Sequence, residues 1–342
     1  MPDHIFGITL QPSADHYPAE ASQTILQALE RGGLEFPAFC RHGHCGLCRA
    51  RLLSGTLAPE DRTQPAHALI EEGEILICTS RPGADLELCL FWGPGRAPEI
   101  PARVTRIESL ATGIHRLVLR LPVVQPFTFA PGQFVLLRLA GLVRAYALAN
   151  PPHERDPELH IQSTRGQLLE QALAGLGPGS LVAIEGPFGP FYYRPKPDHP
   201  ERHTLLVASG MGYAPMKSIL RHLCETAGES HPGEIRLVWE ARAEEDLYDH
   251  VWLRRLDAEW QRFQYHPVIE QPGRTRSIPV GTALDPLTPA RVAGAICYLA
   301  GPGVRIAAVT QRLLSLGVPE RLIYRESFGA ETPSVRSDAE PR

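Results

Sequence analysis

Four cysteines constrain this chain more than any other feature. Cys40, Cys45 and Cys48 stand at a C-x4-C-x2-C spacing, and Cys78 follows at a distance. Thiolates are the ligands that soft iron–sulfur chemistry needs, and this spacing is one that holds a [2Fe–2S] cluster. One tight loop supplies three sulfurs and a remote segment supplies the fourth. Gly43 and Gly46 lie among the ligands; without side chains they let the backbone wrap close and aim N–H groups at the sulfurs. Structural zinc would more often use two paired knuckles, and Cys78 has no Cys or His three residues away. Disulfides fit poorly with an odd total of seven cysteines and with a Met1–Leu10 segment that lacks the parts of a signal peptide. Cys89 alternates with apolar neighbours in Leu86–Leu90, so it reads as a core thiol on a strand; Cys224 and Cys297 read likewise.

The ligand cysteines also mark a boundary. Residues 1–92 hold six Arg against twelve Asp and Glu, and Gly93-Pro94-Gly95-Arg96-Ala97-Pro98 then reads as a linker. In 342 residues there is room for two or three domains. Short strand-like runs follow at Leu117–Leu121, Phe134–Leu139, Leu159–Ser163 and Leu181–Glu185, separated by Gly/Pro turns. From about His203 the rhythm changes to strand, then helix, repeatedly. Candidate strands are Leu205–Ala208, Ile235–Trp239 and Ala295–Ala300, with helices at 214–227, 244–260 and 303–316, a pattern that predicts a parallel sheet. Ser22–Arg31 reads as a helix ended by Gly32-Gly33. A net charge of −4 gives no support for nucleic-acid binding, and no run of 18 uncharged apolar residues exists to span a membrane. Only Lys196 and Lys217 are lysines among the 34 basic residues, which reads as composition rather than function.

Three further motifs carry chemistry. Arg144-Ala145-Tyr146-Ala147-Leu148 places an Arg and a Tyr two apart on a strand, hence on one face, which is also the pattern of an ordinary surface pair. Gly210-Met211-Gly212-Tyr213-Ala214-Pro215 joins an apolar strand to a helix, where glycines allow a backbone to approach a pyrophosphate; a simple turn has the same signature. Tyr298-Leu299-Ala300-Gly301-Pro302-Gly303 repeats the strand-to-helix junction, and Glu326-Ser327-Phe328 follows a final strand.

Residues 1–92, including Gly43-His44-Cys45-Gly46-Leu47-Cys48, resemble a plant-type ferredoxin domain, and residues from Arg144 to Phe328 resemble the ferredoxin–NADP reductase family. The combined order is similar to that of the reductase components of bacterial multicomponent oxygenases. The resemblance implies a multidomain α+β and α/β chain: a β-grasp ferredoxin domain (1–95), a six-stranded antiparallel flavin-binding β-barrel (96–196), a parallel-sheet nucleotide-binding α/β domain (197–329) and a flexible tail (330–342). It implies Cys40, Cys45, Cys48 and Cys78 as cluster ligands. It sets Arg144 at the flavin pyrophosphate, Tyr146 against the isoalloxazine, Ala147 and Leu148 beside them, and Gly166 and Gln167 at phosphate on a helix N-terminus. Gly210, Gly212, Pro215, Gly301 and Pro302 would line the dinucleotide, with Ala300, Glu326 and the aromatic Phe328 near the reacting rings.

The resemblance further implies FAD and an electron path from NADH through FAD to the cluster and on to a separate acceptor protein: a terminal oxygenase, its ferredoxin or a deoxysugar dehydrase. A cytoplasmic protein without membrane insertion is expected. Asp246, in the run Glu244-Glu245-Asp246, matches an acidic position that favours NADH over NADPH in relatives; Arg242 argues the other way, and the run also suits a solvated helix start. Two positions depart from the family. Ala147 stands where a Ser or Thr hydroxyl usually reaches the flavin, and Ala300 where a Cys usually lies beside the nicotinamide. Losing one hydrogen bond at a reacting centre costs about 1–3 kcal/mol, roughly 5- to 150-fold in rate. Leu168 and Leu169 likewise stand where a hydroxyl residue usually follows the phosphate-facing Gly. These departures leave open a redox-sensing or electron-transfer subunit with impaired hydride transfer.

Overall fold

The computed structural model describes residues 4–11, 13–34, 41, 43, 48–61, 73–90, 99–124, 127–163, 168–194, 203–227, 233–270 and 281–328. The chain divides into two compact units, Met1–Pro98 and Glu99–Arg342. The expected linker at 93–98 and tail at 330–342 lie outside the described residues.

In the first unit, β1 (Ile5–Gln11), β2 (Asp15–Glu20), β3 (Arg49–Ser54), β4 (Glu74–Leu76) and β5 (Leu86–Leu90) form one sheet in the order β2-β1-β5-β3-β4. The two central strands β1 and β5 run parallel, while the outer pairings are antiparallel. Helix α1 (Ile25–Arg31) buries Ile25, Leu26, Ala28 and Leu29 against Ile8, Leu10, Ala50 and Leu88 of this sheet. The helix begins later than the sequence pattern suggests. Thr24 takes the N-cap: its hydroxyl accepts the Gln27 amide at 3.3 Å, and the Gln27 side chain accepts the Thr24 amide at 3.0 Å. Cys89 also differs from expectation. Leu86, Leu88 and Leu90 face the core, so the intervening Glu87 and Cys89 are half-buried on the opposite face of β5.

The second unit opens with β6 (Ile100–Ala111), β7 (Ile114–Arg120), β8 (Phe134–Leu139), β9 (Leu142–Ala147), β10 (Glu158–Gln162), helix α2 (Leu168–Ala174) and β11 (Leu181–Phe188). The six strands are ordered β10-β7-β6-β11-β8-β9, and every pairing is antiparallel. A bridge between Leu148 and Leu159 brings the two edge strands together, which removes the exposed edges of an open sheet. Val104, Leu117, Leu119, Val135, Leu137, Leu159, Ile161 and Ile184 form the interior.

The chain then alternates: β12 (Thr204–Ser209), α3 (Tyr213–His222), β13 (Ile235–Ala241), α4 (His250–Glu259), β14 (Phe263–Ile269), α5 (Pro289–Val292), β15 (Ile296–Pro302), α6 (Gly303–Ser315) and β16 (Ile323–Phe328). The sheet is wholly parallel in the order β14-β13-β12-β15-β16. Every residue of β12 is buried, as a central strand covered on both faces requires. Glu326-Ser327-Phe328 form the end of β16 rather than following it, because Ala300, Gly301 and Pro302 extend β15 and pair with them. Cys297 is fully buried, whereas Cys224 is only half-buried. Among the described residues no helix is long and apolar enough to cross a membrane.

Candidate cofactor sites

Two of the four expected cluster ligands meet on one strand pair. Cys48 immediately precedes β3 and Cys78 follows β4 by two residues, and the pairing of Arg49 with Leu76 carries the two thiols to the same place. The Ile77 amide donates to the Cys48 carbonyl at 3.0 Å, extending that pairing. The two sulfurs lie 3.0 Å apart in the domain interior, well beyond a disulfide bond of about 2.05 Å. Two converging sulfurs suit a thiophilic centre. Gly43 takes a left-handed φ of +79° against Leu76 and Thr79, a conformation that favours glycine. Cys40 and Cys45 lie outside the described residues. The arginines around the loop are answered within their own domain. Arg41 makes a two-pronged contact with Glu30 at 2.8 and 2.9 Å, and Arg49 and Arg51 face Glu74 at 3.3 and 3.9 Å.

On the barrel, Arg144 and Tyr146 share one face of β9 and the intervening Ala145 points outward to solvent. Tyr146 packs on the barrel interior, and burial pushes its hydroxyl up to about 12, only partly offset by the charge of Arg144. Its hydroxyl and the Nε of Arg144 are both buried without a hydrogen-bond partner among the described residues. A buried polar group left unpaired costs about 1–3 kcal/mol, so this pair is arranged for a ligand with acceptors and an aromatic face. The residues present therefore fit a flavin. Leu148, beside them, is fully buried in the barrel, and its amide donates to the Gln133 carbonyl at 2.9 Å. Ala147 closes β9 opposite Phe134. Gly166 and Gln167 lie outside the described residues.

The parallel sheet reverses strand order at β12, with β13 on one side and β15 on the other; ligands bind beyond the carboxyl ends of strands at such a point. Both glycine motifs lie there. Gly210 has a φ of +55° and open space where a Cβ would project, whereas a Cβ on Gly212 would stand 1.9 Å from the Ala300 carbonyl oxygen. The two glycines thus do different work: the first leaves room, and the second lets the two loops touch. Pro215 sits in the first turn of α3, where its missing N–H is no loss. Ala300 is fully buried and pairs with Glu326, Gly301 with Ser327, and Pro302 with Phe328. Asp246 caps its own turn, accepting the Ala243 amide at 3.3 Å.

Sequence reasoning missed two charged features. Glu240, at the end of β13, is 1% exposed, accepts the Ala283 amide at 3.2 Å and lies 3.7 Å from Arg305. Its signal was its position at the carboxyl end of a parallel strand. The other is a buried ionic group around Lys217, which joins the barrel to the nucleotide-binding layer and could have been suspected from the scarcity of lysine.

Three family descriptions match the chain in sequence. The 2Fe-2S iron-sulfur cluster binding domain covers residues 8–83, the oxidoreductase FAD-binding domain 101–193, and the oxidoreductase NAD-binding domain 206–310. The reductase subunit of an aromatic O-demethylase from Amycolatopsis is 30% identical over 326 residues, covering 90% of this chain and 95% of that one. The ferredoxin–NAD(P)(+) reductase component of the naphthalene 1,2-dioxygenase system of Pseudomonas putida is 28% identical over 94% of this chain and 98% of its own. Among solved structures, the Amycolatopsis cytochrome P450 reductase superposes with a TM-score of 0.65 at 28% identity, over 94% of this chain and 98% of that one. The buried thiol pair, the flavin-ready strand and the glycine turns at the switch point therefore sit in a chain that belongs to the iron–sulfur flavoprotein oxidoreductases with 2Fe-2S, FAD-binding and NAD-binding domains, the family of these oxygenase-system reductases.

Proposed function

We propose that this oxidoreductase takes electrons from NADH and delivers them, through FAD and then a [2Fe–2S] cluster, to a separate acceptor protein. The observation that carries this reading is the coexistence of three sites in one chain: converging thiols at Cys48 and Cys78, the orphaned Arg144–Tyr146 pair, and the glycine turn at the β12/β15 switch point. When bound, FAD supplies the conversion between a two-electron hydride donor and a one-electron cluster. The chain's part is to bind and orient. Cys40, Cys45, Cys48 and Cys78 would hold the cluster. Arg144 would meet the flavin phosphates and Tyr146 would pack on the ring, while Gly210, Gly212, Gly301 and Pro302 would shape the dinucleotide groove. Phe328 and Glu326, on the strand beside Ala300, stand nearest the nicotinamide in this reading.

NADH rather than NADPH is supported by acidic side chains at the carboxyl end of β13, Glu240 and the run Glu244-Glu245-Asp246, which disfavour a 2′-phosphate. The acceptor is read as an oxygenase component, since one relative reported above is the reductase component of a dioxygenase system. Thiolate ligands suit the cytoplasm, where thiols stay reduced.

Anaerobic mixing with NADH tests the path. The flavin band bleaches within seconds and the cluster signal of a reduced [2Fe–2S] centre follows. A flavin that stays oxidised would instead favour a redox-sensing or electron-transfer subunit in which Ala147 and Ala300 mark lost hydride transfer. Ranking candidate oxygenase components and dehydrases by their rate of reduction identifies the acceptor.

A further inference from the structure

The barrel and the nucleotide-binding layer meet at a buried ionic group that no cofactor contact requires. Lys217 on α3 is 5% exposed, and its Nζ lies 3.0 Å from Glu158 on β10 and 3.0 Å from Asp249 at the start of α4. Arg116 on β7 adds a second cation 3.4 Å from Glu158, so a buried lysine and a half-buried arginine answer two half-buried carboxylates. His160 completes the group. Its Nε2 donates to Glu158 at 2.8 Å, because a carboxylate can only accept, so its Nδ1 accepts the Tyr248 hydroxyl at 2.9 Å. The imidazole is neutral in that arrangement, and burial holds its pKa below the ordinary value.

The contacts continue toward the glycine turn. Asp249 occupies an N-cap position, yet its carboxylate makes no cap bond; it takes Lys217 and, at 3.1 Å, the Tyr213 hydroxyl. Tyr213 stacks on Trp239 with ring centroids 3.8 Å apart, and the Trp239 Nε1 donates to the Gly210 carbonyl at 3.1 Å. An unbroken series of packed and bonded groups thus runs from Glu158 of the barrel to Gly210 of the turn. At the barrel end, the Glu158 carbonyl accepts the Ala149 amide at 2.8 Å, which ties it to the continuation of the strand bearing Arg144 and Tyr146. Two more contacts fasten the same helix: Ser218 donates to the Asn150 carbonyl at 2.7 Å, and Arg221 reaches Glu154 at 2.5 Å.

We propose that Lys217 is a positioning residue for the dinucleotide, fixing the Gly210–Gly212 turn relative to the flavin-bearing strand through Asp249, Tyr213 and Trp239. The inference rests on the reading that this turn faces a nicotinamide dinucleotide. A compact ammonium with three donors suits a slot between two carboxylates on opposite sides better than a planar guanidinium does, which accounts for one of only two lysines in a chain otherwise furnished with arginine.

The test uses the full-length protein loaded with FAD and cluster, with NAD+ and NADP+ titrated calorimetrically into wild type, Lys217→Met and Tyr213→Phe. The affinity for the preferred dinucleotide falls at least 10-fold in Lys217→Met and about 3-fold in Tyr213→Phe, and the KM for the reduced form rises in parallel. FAD affinity and the cluster absorbance stay within 2-fold of wild type, and amide exchange quickens over residues 210–216. A general structural weakening would instead lower FAD and dinucleotide affinity together, and that outcome overturns the proposal. So does dinucleotide affinity within 2-fold of wild type in both variants. If Lys217→Met does not fold, Tyr213→Phe decides by the same criterion, since it removes one hydroxyl and keeps the ring stack. A wild type that binds neither dinucleotide overturns the reading of the turn itself, a result separate from unchanged variants of a wild type that binds.

Discussion

Gly212 lies so close to Ala300 that a Cβ on it would stand 1.9 Å from the Ala300 carbonyl oxygen, while Gly210, two residues earlier, faces open space. Two glycines of one motif should therefore respond differently to the same change. Gly212→Ala forces the two loops apart and destabilises the protein by about 1–3 kcal/mol, with NADH affinity lost in step. Gly210→Ala meets only the strain of a left-handed φ, about 1–2 kcal/mol at most, and no clash. Urea unfolding of both variants should show Gly212→Ala the less stable; the reverse order would contradict the close approach.

Cys48 and Cys78 converge from adjacent strands, so Cys48→Ser should strip the cluster while leaving the flavin in place. Cytochrome c reduction, which needs one-electron delivery, is abolished, and ferricyanide reduction with NADH is retained within about 2-fold. Retention of both activities would place the exit for electrons at the flavin, and equal loss of both would contradict the proposed order of transfer.

Tyr146 carries a buried hydroxyl with no partner among the described residues. In protein freed of FAD, Tyr146→Phe removes that unpaired group and is neutral or stabilising by about 1 kcal/mol. In the loaded protein it weakens FAD binding by about 5-fold or more. Melting temperatures with and without FAD should therefore move in opposite directions or diverge. Parallel shifts would mean that the hydroxyl never meets the flavin.

Stability should fall on acidification in two stages. His160 has a pKa below its ordinary 6.5, mainly through burial and further through Lys217, so the unfolded chain takes a proton there that the folded chain refuses. Stability is full above pH 6.5 and declines below it. Glu158 is raised by burial, but the His160 bond and the charges of Lys217 and Arg116 outweigh that and hold it well below the ordinary 4.5; its contribution is present above 4.5 and is lost as the pH falls further. Thermal melts between pH 8 and pH 2 should show both declines, and His160→Gln should remove the first.

Much of the architecture was legible because it depends on local pattern. The continuous apolar run of β12 and the alternation of β5 are written in neighbouring residues, and a glycine after a helix stops it in isolation as well as in context. Errors fell where a neighbour distant in sequence decides. Cys89 alternates with leucines whichever side is inward, and only the placement of Leu88 against the α1 layer turns the thiol outward. Glu326–Phe328 join a strand because β15 continues through Pro302 and offers them partners.

The sequence by itself determined the chemistry this chain can hold: four cysteines at a cluster spacing, an Arg–Tyr pair on one strand face, and glycines at two strand-to-helix junctions. Those depend on residue type and short spacing, which the chain carries at any stage of folding. Tertiary structure alone decided what each residue is for. It gave Gly212 to the Ala300 carbonyl and left Gly210 open, it paired the arginines near the cluster with acids of their own domain, and it made Lys217 the centre of a buried junction. Burial and charge pairing arise between segments far apart in sequence, so a lysine that reads as mere composition becomes, once folded, a contact between the barrel and the elements behind the glycine turn.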